Sequence, residues 1–435
     1  MNYLKDKTMP HLDRNLWHDT STPNKPYNPL SENIKVDTAV IGAGITGLST
    51  ALHLAESGIS VALFEAQEIG YRASGRNGGQ IVPGIKPTPE AIIKRFGEET
   101  AKRMLHFCFE TANTTFELIE RYSIKCEPNK SGWIQGAFSA NSSIYLENRA
   151  KQINKYGGNA EYLNPEAMQA ATGSTFWPSG LLEHTAGSVQ PLAYVRGLAN
   201  AIESQGGIIY ENSPVLSIQP TSSGLLLTVN GQAVEAKKVV LATDAYTDKL
   251  WPSVTHSYIT VSSAQISTDP LPAKLLTRLM PLRAGISETR KITYYCRIDP
   301  EGRFVIGGRG HSSEYLDNSS REQLRKAAVA RFAELEGIEW PYGWACRVGM
   351  TMDDLPRIHQ LAPNIWTAYG YCGRGMAKGT AFGKLLRDAI KGVPTHQLEY
   401  PITPVTRMPF YPVRQIGASA LINWYRLCDS LGFPQ

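Results

Sequence analysis

The strongest hydrophobic pattern in this chain lies at residues 36–41, a mostly apolar run that ends in a glycine-rich turn. The turn is followed by a long stretch with apolar residues at helical spacing, up to Gly58, and then by a second apolar run at 61–64. Short runs that are mostly apolar, with only Asp37 and Thr38 polar in the first, predict buried parallel strands, and the stretch between them predicts a helix. The pattern therefore predicts a βαβ unit over residues 34–66.

The rest of the chain alternates between helical and strand patterns. Apolar residues at helical spacing predict helices over about 88–122, 142–156, 165–171 and 191–205, and strand-type runs occur at 132–138, 208–210, 215–218, 225–229 and 238–243. Between about 257 and 345 strand patterns dominate, and the runs 291–297 and 303–308 are joined by Asp299-Pro300-Glu301-Gly302 in the manner of a hairpin. This region predicts a second, antiparallel domain. Residues 1–33 are polar, contain four prolines and follow neither period, which predicts an extended arm over the globule.

Composition narrows the class of protein. The 435 residues, 42% hydrophobic and 19% charged, are typical of a globular protein of two or three domains. The net charge of +5 is spread along the chain, which argues against nucleic acid as a partner. The six cysteines form no C-x-x-C pair, so we expect neither a metal site nor a disulfide framework. No apolar leader or membrane-length run is visible, so we expect a cytoplasmic protein without a membrane span.

The turn after the first predicted strand carries the glycine pattern of dinucleotide-binding proteins. Gly42 allows the tight turn, Gly44 leaves room for a pyrophosphate, and Gly47 lets the helix pack closely on the strand. The helix N-terminus presents N–H groups to the phosphates, and Glu65 follows the second strand at the distance expected for a ribose-binding acid. An acid there disfavours NADP and leaves FAD and NAD open. The alternative is a tight turn without a ligand.

Two further segments favour FAD over NAD. Residues 69–80 form a glycine-rich loop with two cations and a hydroxyl, suited to wrapping a long dinucleotide, although a plain flexible loop has the same composition. Residues 365–377 predict a strand, a glycine-rich turn and a helix that continues through Ile390. The N-terminus of that helix is suited to the negative charge of a reduced flavin.

Four segments resemble one family of flavoenzymes: GAGITGLSTALHLAESG at 42–58, SGRNGGQ at 74–80, PLAYVRGLANAIESQGG at 191–207 and YGYCGRGM at 369–376. They are similar to the FAD-dependent amine and amino-acid oxidases of the D-amino-acid oxidase superfamily, and within it to the gamma-glutamylputrescine oxidase branch. The resemblance implies hydride transfer from an amine-bearing carbon to FAD, release of an imine, and reoxidation by O2 to give H2O2. It implies a small-molecule amine as substrate, either a polyamine conjugate or a secondary amino acid.

The resemblance also implies an α/β FAD-binding Rossmann-type domain interleaved with an antiparallel-sheet α+β substrate domain. We assign residues 34–125, 187–256 and 346–393 to the FAD-binding domain, 126–186 and 257–345 to the substrate domain, 1–33 to the arm and 394–435 to a C-terminal extension. The implied cofactor-binding residues are Gly42, Gly44, Ile45, Thr46, Gly47, Glu65, Ala66, Ser74, Arg76, Asn77, Gly78, Gly79, Gln80, Val215, Ala242, Cys346, Gly373, Gly375, Met376 and Ala377.

Several positions depart from the family pattern. Related sarcosine oxidases carry an oxygen-activating lysine on the second strand of the central hairpin, where this chain has valine, so Arg309 is a candidate to supply the positive charge. Cys372 and Arg374 stand where the putrescine-type relatives tend to have serine and histidine. Cys346, with a threonine five and an aspartate seven residues later, matches the spacing around the flavin-linked cysteine of sarcosine and pipecolate oxidases. A buried structural cysteine is the more common state.

The candidate catalytic and substrate-binding residues are Arg309, Tyr295 and Arg297, all on the predicted hairpin. Arginine beside aromatic residues suits an amine that also bears a carboxylate. Because side chains alternate along a strand, at most one of Tyr294 and Tyr295 is expected to reach the pocket. Two other functions stay open: a dehydrogenase that passes electrons to an acceptor other than O2, as the missing lysine favours, and an FAD-binding partner protein without turnover.

Overall fold

The computed structural model describes residues 14–311, 314–408, 424 and 428. Its helices are α1 (Leu16–Thr20), α2 (Ile45–Glu56), α3 (Pro89–Phe96), α4 (Glu98–Arg121), α5 (Ala140–Lys155), α6 (Pro165–Thr172), α7 (Pro191–Ser204), α8 (Pro252–Thr255), α9 (Ala273–Leu276), α10 (Asn318–Arg331) and α11 (Gly375–Ile390). Its strands are β1 (Ile34–Ile41), β2 (Val61–Phe64), β3 (Gln80–Ile81), β4 (Trp133–Gly136), β5 (Ala160–Leu163), β6 (Gly180–Glu183), β7 (Gly187–Ser188), β8 (Ile208–Tyr210), β9 (Val215–Thr221), β10 (Gly224–Val229), β11 (Gln232–Leu241), β12 (Ile259–Pro270), β13 (Gly285–Glu288), β14 (Tyr295–Ile298), β15 (Arg303–Arg309), β16 (Tyr342–Met350), β17 (Arg357–Ala362) and β18 (Ile365–Tyr369).

The first sheet is built around the predicted βαβ unit. Its strands follow the order β17-β18-β11-β1-β2-β8, with β10 and β9 extending from β11, and the pairs β18/β11, β11/β1, β1/β2 and β2/β8 are parallel. Helices α2 and α11 pack so closely that a Cβ added at Gly383 of α11 would overlap the side chain of Ser49 in α2. Because α2 follows β1 and α11 follows β18 in the chain, both helices begin at the carboxyl ends of parallel strands, where ligands bind in open α/β sheets.

The second sheet has eight strands in the order β16-β12-β15-β14-β13-β4-β6-β5. All its pairs are antiparallel except β13 with β4, so the predicted antiparallel sheet is confirmed with one parallel exception. The predicted hairpin is formed by β14 and β15, and its turn is held by a 2.8 Å hydrogen bond from the Arg303 N–H to the Asp299 carboxylate. Residues 291–294, predicted as strand, precede β14 without pairing in it.

The N-terminal arm is less extended than predicted. Residues 1–13 lie outside the described residues, and the next turn is the short helix α1, capped by the Asn15 side chain. Trp17 is 1% exposed and packs edge-on against Trp344, with ring centroids 5.6 Å apart. The side-chain amide of Gln190 donates a 2.8 Å hydrogen bond to the Trp17 carbonyl. The helix forms because two adjacent apolar residues, Leu16 and Trp17, are buried together, a signal too short to show a period in the sequence.

The C-terminal segment runs along the first sheet as far as residue 408, and the rest of the predicted extension lies outside the described residues, apart from 424 and 428. The Tyr400 hydroxyl donates to the Pro356 carbonyl at 2.9 Å, and its ring packs 4.9 Å from that of Phe382 in α11. The Met408 N–H donates to the His256 carbonyl at 2.9 Å, and Met408 lines the large cavity described below. Of the helices in the described part, none has the length and apolar character needed to cross a membrane.

Candidate active site

A cavity of about 2170 Å³ is lined by residues from both sheets. Sixteen of the predicted cofactor-binding residues line it: Gly42, Gly44, Ile45, Thr46, Glu65, Ala66, Ser74, Asn77, Gly78, Gln80, Val215, Ala242, Cys346, Gly373, Gly375 and Met376. The structure thus brings together the βαβ turn, the 74–80 loop and the late glycine turn, which are far apart in the sequence. That convergence is what a long dinucleotide requires.

The other four predicted residues do not line the cavity and pack next to residues that do: Gly47, Arg76, Gly79 and Ala377. A Cβ at Gly47 would overlap the Gly42 carbonyl, so Gly47 allows α2 to close on β1, as predicted. Gly79 has a φ of 68° and lies against the Val189 carbonyl. Arg76 donates to the Tyr71 carbonyl at 3.0 Å, and its own carbonyl accepts from the Trp344 indole at 2.9 Å. Ala377 is fully buried in the first turn of α11.

The start of α2 forms the cradle for phosphates. Gly42 has a φ of 101°, a left-handed conformation that glycine adopts without strain, and Gly44 caps the helix. A Cβ at Gly44 would lie 2.8 Å from the Ser74 hydroxyl, which itself accepts a 3.0 Å hydrogen bond from the Ile45 N–H. The absence of a side chain at Gly44 keeps the helix N-terminus accessible to an anion.

Glu65 lies at the end of β2, where the sequence predicts the ribose-binding acid. Its carboxylate accepts a 2.8 Å hydrogen bond from the Ala43 N–H and a 3.0 Å hydrogen bond from the Gln67 N–H, which fix its orientation. Burial raises the pKa of Glu65, although these backbone donors act in the opposite direction. A carboxylate has acceptor sites beyond these two, so Glu65 can still accept from ribose hydroxyls.

The 74–80 loop connects the cradle with the second sheet. The Asn77 amide donates to the Ser74 carbonyl at 2.8 Å and accepts from the Gly79 N–H at 2.8 Å, so one side chain organises the turn. A Cβ at Gly78 would lie 2.7 Å from the Tyr295 ring of β14. The loop backbone therefore packs directly against the predicted substrate sheet.

The N-terminus of α11 closes the cavity on the other side. The Tyr371 hydroxyl lies 2.7 Å from the Thr46 hydroxyl of α2, and the Gly370 N–H donates to the Asp244 carboxylate at 2.8 Å. Cys372 adopts a φ of 52°, and its sulfur lies 3.3 Å from the Thr351 hydroxyl. These contacts hold the two helix N-termini side by side, which concentrates positive dipole at the cavity. The cradle, the acid and the paired helix ends fit FAD.

The predicted substrate residues separate into two groups. Arg309 and Tyr295 line the cavity, and the Tyr295 hydroxyl lies 2.9 Å from the Ser263 hydroxyl, with its pKa raised by burial. Tyr294 lies outside the cavity and accepts a 2.9 Å hydrogen bond from Gln323. The prediction that at most one of the two tyrosines reaches the pocket is confirmed.

The prediction for Arg297 is wrong. Its guanidinium donates to the Val189 carbonyl at 2.9 Å and lies 4.7 Å from the centre of the Trp17 ring, and the residue does not line the cavity. Burial lowers the pKa of Arg297 to about 10. The physical reason is that α1 of the arm and Gly79 of the loop cover this part of β14.

Sequence reasoning missed most of the polar and aromatic residues on the cavity wall near β4. Trp133 and Gln135 of β4, Tyr145 and Arg149 of α5, and Lys86 all line the cavity. They belong to no recognisable motif, although the strand predicted at 132–138 and the helix predicted at 142–156 placed four of them on the elements that they occupy. The departure at Arg374 was the one sequence signal that pointed to this wall.

Cys346 of β16 also lines the cavity. Its sulfur lies 4.0 Å from the Arg76 carbonyl, and burial raises the pKa of the thiol to about 12, which disfavours the reactive thiolate. The covalent link to FAD stays a prediction. The mass of the denatured protein tests it, because a covalent flavin adds the mass of FAD to the polypeptide and a Cys346→Ala variant loses that addition.

Asp244 makes the cavity sensitive to pH. Burial raises the pKa of this carboxyl from 3.8 to about 6, despite hydrogen bonds from the Gly370 and Ala245 N–H groups. Because the folded-state pKa exceeds the unfolded-state pKa, the folded protein binds more protons between about pH 4 and pH 6. The contribution of Asp244 to stability therefore falls as the pH rises through this window.

We expect Asp244→Asn to raise the free energy of unfolding by up to roughly 3 kcal/mol at about pH 7.5, since a shift of one pKa unit corresponds to about 1.4 kcal/mol. At about pH 4.5 this gain in the free energy of unfolding should be roughly 2 kcal/mol smaller than at the higher pH. Urea unfolding of both proteins at the two pH values measures this difference. An equal gain at both pH values would contradict the assignment.

The fold and the site together define a flavin-dependent oxidoreductase. A family model described as FAD dependent oxidoreductase matches residues 37–389, and the chain belongs to this family. The fold class, the family resemblance and FAD as the cofactor are therefore confirmed. The domain boundaries and the individual roles of the site residues stay predictions.

The relatives cover almost the whole chain. The gamma-glutamylputrescine oxidoreductase of Escherichia coli (strain K12) is 32% identical over 416 residues, which cover 94% of this chain and 96% of the relative. A glycine oxidase of Bacillus licheniformis is 26% identical over 83% of this chain and 94% of its own. The crystal structure of L-proline dehydrogenase from P. horikoshii shares the fold, with a TM-score of 0.72, 17% identity and coverage of 89% of this chain and 99% of that one.

Proposed function

We propose that this protein oxidises the C–N bond of a small amine or amino acid to an imine. The carbon loses a hydride and the nitrogen loses a proton, and water then hydrolyses the imine to a carbonyl compound and ammonia or a smaller amine. When bound, FAD supplies the acceptor for the hydride. The proposal draws on the relative named gamma-glutamylputrescine oxidoreductase and on the glycine oxidases.

One observation carries the proposal: the cavity joins the dinucleotide cradle of the first sheet to an aromatic and cationic wall on the second sheet. Tyr295 of β14 is the residue that connects the two, because it contacts Gly78 of the cofactor loop and faces the same cavity. Its hydroxyl, held by Ser263, is fixed in orientation. A wall of this kind orients a small substrate and excludes water from the reacting carbon.

Anaerobic mixing of the purified holoprotein with a panel of primary and secondary amines and amino acids tests the proposal. We expect at least one compound to bleach the flavin absorption, with a carbonyl product formed in stoichiometric amount. Tyr295→Phe keeps the ring against Gly78 and removes only the hydroxyl, so it serves as a matched variant for the orienting role. If no amine or amino acid reduces the flavin, the proposed function is wrong.

The electron acceptor has two candidates. In the first, O2 reoxidises the enzyme and is itself reduced by two electrons and two protons to H2O2. In the second, another acceptor takes the electrons. The buried Val305 of β15 favours this second candidate, because related sarcosine oxidases carry their oxygen-activating lysine on this strand, where this chain has valine. Admitting air to the bleached enzyme separates them: rapid recovery of the flavin absorption with H2O2 formation identifies an oxidase, and slow recovery identifies a dehydrogenase.

A further inference from the structure

Two adjacent glycines of β15, Gly307 and Gly308, face opposite sides of the second sheet, because side-chain positions alternate along a strand. Phe304 and Ile306, which share a face with Gly308, are buried in the hydrophobic core between this sheet and α10. A Cβ added at Gly308 would lie 3.3 Å from Leu324 of the same core. Gly307 therefore faces the other side of the sheet, towards the cavity.

The Tyr295 ring lies directly over Gly307. The two residues are opposite each other in the β14/β15 pair, and a Cβ added at Gly307 would overlap Cζ and the hydroxyl oxygen of Tyr295. The Tyr295 hydroxyl passes over β15 and lies 2.9 Å from the Ser263 hydroxyl of β12, two strands away from β14. A side chain at position 307 would occupy the space of the ring. The contact between Tyr295 and Ser263 therefore requires glycine at this position.

A second glycine borders the same ring from the side of the cofactor loop. A Cβ added at Gly78 would lie 2.7 Å from Cε2 of Tyr295, and a Cβ added at Gly307 would lie 2.5 Å from the same atom. The ring thus fills a narrow space between two backbone segments, here called the glycine slot and formed by Gly78 and Gly307. Because packed backbone cannot rotate away as a flexible side chain can, a change at one wall of the slot displaces the ring against the other.

Gly308 makes the same kind of contact on the opposite face. A Cβ added there would lie 2.9 Å from Cδ1 of Tyr294, whose hydroxyl accepts a hydrogen bond from Gln323 of α10. The backbone of Gly308 borders the cavity, but the added Cβ would point towards α10 and away from the cofactor loop. The two glycines are therefore matched in residue type, strand and tyrosine contact, and they differ in the face of the sheet.

We propose that Gly307 is a positioning residue for the proposed reaction, because through Tyr295 it aligns the cofactor loop with the cavity wall on the second sheet. This inference rests on the proposed function and adds to it a residue that does not line the cavity, since Tyr295 covers it. Gly307→Ala forces the Tyr295 ring either into the cavity or against Gly78. The first displacement narrows the space for the substrate, and the second moves the loop that holds the cofactor.

The test compares Gly307→Ala with Gly308→Ala as its matched control. FAD affinity is measured by fluorescence titration of the apoprotein, and flavin reduction by anaerobic mixing of the holoprotein with a saturating amine. We expect Gly307→Ala to weaken FAD binding and to slow flavin reduction, each by about tenfold or more, and Gly308→Ala to keep both within about twofold. Both substitutions should lower the midpoint of urea unfolding, because each adds a methyl group to a packed site.

A second pair of proteins shows whether the effect passes through the Tyr295 ring. Tyr295→Leu removes the ring atoms that the new methyl group would overlap. In this background, Gly307→Ala should change FAD affinity by less than about twofold, since no ring is left to displace. The double variant is also expected to fold if Gly307→Ala alone does not, which keeps the comparison possible.

Several outcomes would overturn the proposal. They are an unchanged FAD affinity in Gly307→Ala, an equal loss in Gly307→Ala and Gly308→Ala, and a loss in the Tyr295→Leu background as large as in the wild-type protein. Failure of the double variant to fold also does so, because β15 then needs Gly307 for a reason unrelated to Tyr295. If the FAD affinities change as expected and no amine reduces the flavin, Gly307 still positions the cofactor loop and only the proposed function is lost.

Discussion

We expect the replacement of Gly44 with valine to abolish FAD binding, because the new side chain would occupy the space between the N-terminus of α2 and the 74–80 loop. A Cβ alone would lie 2.8 Å from the Ser74 hydroxyl, closer than such atoms approach, and valine adds two methyl groups where the pyrophosphate belongs. The purified variant is expected to be colourless. Its absorption spectrum and a fluorescence titration with FAD measure the loss.

The matched control is Gly206→Val, at the end of α7. A Cβ at Gly206 meets no other atom within 4 Å, although its φ of 80° makes valine strained there. We expect this control to lower the free energy of unfolding by about 1 kcal/mol and to keep its flavin. Yellow colour retained in a folded Gly44→Val protein would show that the pyrophosphate lies elsewhere.

The second large effect is expected at Trp17. Truncation to alanine should lower the free energy of unfolding by about 3–5 kcal/mol, the cost of removing a large aromatic side chain from a packed core. The same change should weaken FAD binding, since the Trp17 indole donates to the Asn77 carbonyl at 2.8 Å and Asn77 organises the cofactor loop. Urea unfolding and FAD titration measure the two effects.

Trp17→Phe separates packing from hydrogen bonding. Phenylalanine keeps much of the contact with Trp344 and loses the indole N–H, so we expect a smaller loss of stability and an FAD affinity lowered by about 0.5–1.5 kcal/mol. An unchanged FAD affinity in both Trp17 variants would mean that the arm stabilises the fold without positioning the loop.

The sequence predicted those parts of the molecule that are determined by local physical chemistry. Signals that lie within a few residues of each other, such as periodicity, helix caps and glycines, predict several elements. These are the βαβ unit, the helices near 191–205 and 375–390, and the hairpin turn at Asp299. Most of the predicted cofactor-binding residues that line the cavity belong to short continuous motifs, which a local pattern is sufficient to identify. The glycines of the cradle are required by the backbone conformation itself, as the φ of Gly42 shows.

The remaining features depend on contacts between distant segments. Arg297 and Tyr295 occupy the same face of β14, yet only Tyr295 reaches the cavity, because Trp17 from the arm covers Arg297. No local pattern places a residue of the arm on that strand. Arg149 and Arg374 are another example, since they are separated by more than half of the chain and meet on the cavity wall only when both sheets are assembled.

The strand order has a consequence for how the protein is made. The centre of the first sheet requires Ile34 to pair with Val234, and the next pair joins Val239 to Ile365, while the second sheet is formed by segments between them. The cradle for FAD is therefore incomplete on the ribosome until nearly the whole chain has emerged. Pairing over such separations slows folding and leaves unpaired strand edges exposed in the meantime. We expect the two sheets to unfold in one cooperative transition and a fragment ending before β18 to hold no flavin.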